Sequence, residues 1–180
     1  MKLKTPKELG LTKVQFLNLC KLIAFVRTCV PPPKFDITSF HSFKDEAGDR
    51  VENINPSIAK YEDSCGTSAC FCGYGPLAGI RAKKGESWWQ YGQRVFGADH
   101  TSENVNTANT WEFLFSDEHV NTKNAACLRG AYLLTHGLPE LNGLKGETYD
   151  LKEVPSKFKK EVNWELIDQY IKENSKGKTT

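Results

Sequence analysis

Helix start and stop signals recur along this chain so often that they settle its structural class before composition is consulted. A helix leaves its first backbone N–H groups without partners. A Thr, Ser or Asn at the cap, answered three residues later by a Glu or Gln that reaches back, satisfies two of them. Thr5-Pro6-Lys7-Glu8 has this form, with Pro at the first helical position and Gly10 as the stop. Thr12-Lys13-Val14-Gln15 repeats it at once, with Leu11 placed to staple onto Phe16. The spacing predicts a helix over 13–28, in which Phe16, Leu19, Cys20, Ile23 and Val26 fall on one face and Pro31-Pro32-Pro33 forbids continuation.

Further signals follow. Ser87 caps a helix over 88–96, whose aromatic face is Trp88, Trp89, Tyr91 and Phe96 and whose terminator is Gly97. Asn109 with Glu112 repeats the cap pattern ahead of Trp111, Phe113, Leu114 and Phe115. Thr122 opens a helix to His136 with Cys127, Ala131 and Leu134 on one stripe, and Gly137-Leu138-Pro139 reads as a Schellman-type ending. Asn163 caps a last helix over 164–173 with a narrow stripe of Ile167, Tyr170 and Ile171.

Between these lie weaker patterns. Phe35, Ile37, Phe40 and Phe43 alternate loosely, as an extended strip would. Residues 44–64 read as a long polar loop with a helical turn after Pro56, and 139–162 as a polar connector. Residues 174–180 read as a flexible basic tail. Residues 65–74 are dense in Gly, Ala, Ser and Cys, which predicts a short buried helix ended by Gly75-Pro76. The expected fold is therefore mainly α: one domain over 1–180, a compact non-parallel set of helices around a central short Cys/Gly-rich helix, with one or two short extended segments.

Composition narrows the function classes. A net charge of +2 is too near neutral for a protein whose affinity comes from neutralising phosphates, so nucleic acid is not expected as a partner. The apolar stretch 14–26 is interrupted by Gln15, Asn18 and Lys21, which suits neither a signal peptide nor a membrane span. The expected location is the cytoplasm, the host's if the chain is phage-encoded. Six cysteines in that compartment are expected to be reduced rather than bridged. No Gly-Lys-Ser/Thr phosphate loop, dinucleotide fingerprint or His-Glu-x-x-His occurs, and no cofactor is expected.

One segment has chemical character. Cys65 at a helix start would lie beside open backbone N–H groups and the positive end of the dipole, which favours thiolate. Gly66 keeps that backbone accessible, and Thr67 and Ser68 supply hydroxyl donors. Cys65, Gly66, Thr67 and Ser68 are thus the candidate ligand-binding residues. A thiol-dependent hydrolase or transferase would also need a base, for which His41 and His119 are the candidates beside Cys65. The same small residues are also what tight packing requires, with Cys behaving as a small hydrophobe. Metal binding is not expected, because Cys65, Cys70 and Cys72 lack the paired Cys-x-x-Cys spacing of structural zinc sites.

Cys65, Gly66, Thr67, Ala69, Cys70 and Gly73 resemble the C-G-T-x-A-C-x-x-G core of a loose group of small helical proteins, frequent in bacteriophages and bacteria. Phe35-Asp36-Ile37-Thr38-Ser39-Phe40 resembles the extended strip before that core. The stretches Trp111-Glu112-Phe113-Leu114-Phe115 and Tyr132-Leu133-Leu134-Thr135-His136-Gly137-Leu138-Pro139 resemble the helical end. The resemblance implies a helical fold and a phage-like origin, and carries no mechanism. Together these readings lead to a small accessory protein that binds a host protein or a small ligand. A thiol enzyme using Cys65 and a virion or assembly component are the alternatives.

Overall fold

The computed structural model describes residues 2–31, 35, 42–44, 47, 50–52, 56–58, 69–98, 103, 105–115, 122–138 and 156–175. Within them the fold is mainly α, with six helices and one short pair of strands. The long first helix, α1 (Lys13–Cys29), is the axis on which the rest packs. It touches α2 (Trp88–Phe96), α4 (Lys123–His136), α6 (Trp164–Ser175) and a 3-10 turn at Cys72–Tyr74, while α3 (Val105–Phe115) leans on α4. Among the described residues no helix is long and apolar enough to cross a membrane.

The caps form where local chemistry demands them. Thr12 and Gln15 make a reciprocal capping box at α1, and Ser87 and Gln90 make another at α2. Thr122 caps α4 through Ala125 N–H, and Asn163 accepts from Glu165 N–H at α6. The expected α1 stripe of Phe16, Leu19, Cys20, Ile23 and Val26 is buried, together with Leu22. The polar residues that interrupt α1 have work of their own: Gln15 Nε2 donates to Gln93 O at 3.1 Å and Asn18 Nδ2 to Val95 O at 3.1 Å. Both bonds tie α1 to carbonyls in the last turn of α2, where Gln93 O also accepts the Gly97 N–H. Gly97, at φ 68°, ends α2, and a side chain there would strike Leu11.

Small residues set the closest approaches. A Cβ on Gly130 of α4 would lie 2.7 Å from two side-chain carbons of Ile23, so Gly130 lets α4 come down onto α1. A Cβ on Gly92 of α2 would lie 2.7 Å from the Trp111 ring, which lets α3 do the same. Phe115 then closes an aromatic core with Phe71, Phe96 and Trp111, at ring separations of 5.8, 5.6 and 5.1 Å.

Several expectations are corrected. The stretch around Cys72 is buried and central, but its described part is no regular helix. Ala69 pairs with Phe35 in an isolated parallel bridge, and only Cys72–Tyr74 is 3-10. The 3-10 turn does end at Gly75-Pro76, but the chain does not straighten there. Gly75 keeps helical angles of φ −55° and ψ −50°, since without a Cβ it escapes much of the clash with the proline ring, and turns continue to Gly79 at φ 77°. Asn109 is not a cap, because α3 starts four residues earlier. Gly137, at φ 89° and ψ −171°, ends α4 in a conformation that favours glycine but is not the left-handed one of a Schellman ending. The loop 44–64 contains β2 (Arg50–Glu52), antiparallel to β1 (Ser42–Lys44) with Phe43 opposite Val51, and a 3-10 turn does begin at Pro56. The connector 139–162 carries α5 (Ser156–Glu161), whose Phe158 is buried.

Candidate functional site

Cys65, Gly66, Thr67 and Ser68, together with His41 and His119, lie outside the described residues. What is described of the cysteine-rich stretch is core. Cys70 and Cys72 are buried free thiols, as are Cys20 and Cys127, while Cys29 is exposed. Burial pushes Cys72 well above the usual thiol range, with the neighbouring Cys70 adding to the rise, and lifts Cys127 to about 12. A thiol held protonated at neutral pH is a poor nucleophile, so these two are packing residues. The thiol of Cys70 accepts the Gly73 N–H at 3.4 Å, which caps the 3-10 turn. Among the described residues no group of three or more His, Cys, Asp and Glu side chains is placed to hold a metal ion.

A concavity lined by described residues lies elsewhere, where the N-terminal segment crosses the end of α4. The crossing is made by the backbone: Lys4 N–H donates to Leu134 O at 2.8 Å. Gly137 turns the chain there at φ 89°, a backbone conformation that favours glycine. Gly10 stops the short 3-10 turn at Lys7–Leu9 with φ 67°, and no atom stands where its side chain would go. The result is a cleft of about 300 Å³. Its apolar walls are Leu9, Leu11, Leu133 and Leu138, and its polar groups are Lys4, Glu8, Thr110 and His136.

Each polar group has a defined state. Glu8 Oε2 accepts both the N–H and the hydroxyl of Thr5 at 2.7 Å, and these bonds hold the carboxyl below its usual range, with Lys4 and Lys2 adding to the effect. Lys4 is half-buried, and among the described residues its ammonium has neither a hydrogen bond nor an ion pair. His136 is stacked on Tyr132 at 4.6 Å and met edge-on by Phe158 at 5.2 Å. The Thr135 hydroxyl lies 2.8 Å from Ala131 O. His136 Nδ1 shares a 2.8 Å hydrogen bond with Thr135 Oγ1, its direction set by the imidazole tautomer.

No local pattern marks this cleft, because its two halves, the first cap and the last turn of α4, lie far apart in the chain. The local signals, Gly10 and Gly137, were visible as stops only. Comparison with protein-family models, with curated proteins and with solved structures gave no match.

Proposed function

We propose that this protein acts by binding rather than by catalysis, as a small accessory protein of phage type working in a reducing cytoplasm, and that its ligand is a small molecule held in the cleft between Lys4 and His136. The cleft carries this reading. Its volume of about 300 Å³ is at the lower end of small-molecule sites, and four leucines and several polar side chains converge on it. The phage-type origin rests on the resemblance of the Cys65-Gly66-Thr67 core. The buried thiols of Cys20, Cys72 and Cys127 suit a compartment that keeps cysteines reduced.

A fragment screen by amide NMR on the full chain tests it. Hits are expected to move the resonances of Lys4, Gly10 and Gly137 together, and Leu138→Trp, which fills the cleft, is expected to abolish those shifts. Turnover of p-nitrophenyl acetate that Cys65→Ser abolishes without loss of fold would replace this reading with the thiol enzyme.

A further inference from the structure

The cleft is electrostatically one-sided. Glu8 is its one carboxylate, and that charge is engaged by Thr5 and flanked by Lys2 and Lys4. The negative end of the α4 dipole is muted too, since Leu133 O accepts the Gly137 N–H and Leu134 O accepts the Lys4 N–H. Lys4 is a half-buried residue whose ammonium makes no hydrogen bond or ion pair among the described residues, and it lines the same cavity as Leu9, Leu11, Leu133 and Leu138. An ammonium without an ion pair can make a charge-assisted hydrogen bond to an anion. The small volume excludes long chains and large ring systems.

We propose that the cleft takes a small amphipathic monoanion, a carboxylate on a short alkyl chain, with the charge on Lys4 Nζ and the chain against Leu9, Leu11, Leu133 and Leu138. This rests on the binding reading above and adds the ligand's charge and shape. Lys4 is a binding residue by its side chain and a fold residue by its backbone N–H. Lys4→Gln keeps the second role and removes the first.

The test uses the full ¹⁵N-labelled chain with three probes of one length: hexanoate, hexylammonium and hexan-1-ol. Hexanoate is expected to move the amides of Lys4, Gly10 and Gly137 in a saturable way. Lys4→Gln is expected to weaken it by roughly tenfold or more, the loss of a charge-assisted contact. Lys4→Arg should retain binding, and Lys172→Gln, on the exposed side of α6, should leave it unchanged. If hexylammonium or hexan-1-ol binds as tightly as hexanoate, or Lys4→Gln binds it undiminished, the charge assignment falls while the cleft reading stands. If none of the three moves those amides, both fall.

Discussion

The hydroxyl of Tyr91 occupies the space that a side chain on Gly75 would need, and it is fixed there by a 2.7 Å hydrogen bond to Ile80 O. Ile80 N–H in turn donates to Gly75 O at 3.1 Å, so the turn after Cys72 and α2 are locked through one phenol. Gly75→Ala must displace that hydroxyl. The substitution is expected to cost about 2–4 kcal/mol, from overpacking, the lost bond and the clash of the added Cβ with the Pro76 ring. Tyr91→Phe alone leaves the buried Ile80 carbonyl without this donor, at about 1–2 kcal/mol. The double variant should be more stable than the sum of the two by at least about 1 kcal/mol, because Phe removes the colliding atom. Urea unfolding of the four proteins measures this, and strict additivity would show that the hydroxyl is not the obstacle.

Glu86 and Arg94 give stability a pH dependence of known sign. Glu86 is 8% exposed and accepts Arg94 Nε at 2.6 Å, Arg94 Nη2 at 2.7 Å and the Lys83 N–H at 2.9 Å. The bond from Arg94 is the main reason its carboxyl is held below the usual range. The folded state therefore binds the proton less readily than the unfolded one. The contribution is complete above the unfolded value of about 4.3 and fades as pH falls through the lower folded value. Because Arg94 is about one-third exposed, at 32%, solvent discounts the pair. Glu86→Gln is expected to cost about 1–2 kcal/mol at neutral pH, with the gap to the parent closing between about pH 5 and pH 2. A gap that widens on acidification would contradict the assignment.

The contrast between these two clusters shows what was legible in the residues alone. The capping boxes at Thr12 and Ser87, the α1 stripe and the bounds of α2 and α4 depend on neighbours three or four positions away, and all were read from the chain. The mainly α fold followed. Gly-Pro marks a helix end locally, whereas the fit of Gly75 is decided by Tyr91, which only the tertiary structure brings to it. Asn109 was read as a cap because its side chain suits one, yet α3 begins upstream at Val105. The helix at Ser156–Glu161 offered one apolar residue among lysines, and it is docked by Phe158 packing on Tyr132 at 5.1 Å, a partner no local pattern names. The cleft was hidden for the same reason, and Cys65, on which the reading of chemistry centred, lies outside the described residues.

Attachment of α6 separates apolar from ionic contributions. Ile167 is buried, and Tyr170 meets Phe16 edge-on at 4.8 Å. Beside them Arg27 donates to both Asp168 oxygens, at 2.9 and 2.7 Å, and lies 5.0 Å over the Trp164 ring. The ion pair is the more conspicuous feature, but its side chains are 26% and 49% exposed. Asp168→Asn is therefore expected to cost less than about 1 kcal/mol. Ile167→Ala should cost about 2–4 kcal/mol, since it opens a cavity against α1. Chemical denaturation of the two variants ranks them, and the reverse order would make the ion pair the main fastening.

Thiol accessibility checks the packing role given to the cysteines. N-ethylmaleimide attacks thiolate, so its rate depends on both exposure and ionisation. Cys29 is exposed at the end of α1, whereas Cys20 and Cys72 are buried with their ionisation suppressed by that burial, and Cys127 is raised to about 12. Peptide mapping after labelling at neutral pH should find Cys29 modified first and Cys20, Cys72 and Cys127 modified only at the rate at which the fold opens. Adding urea below the unfolding midpoint should then raise those three rates together, because they report one cooperative core around α1. Fast modification of Cys72 alone would mean that its turn opens independently of α1. In the same experiment Cys65 distinguishes the two chemical readings. A binding protein predicts labelling of Cys65 that falls away below the ordinary thiol range, and a thiol enzyme predicts labelling that persists well below it.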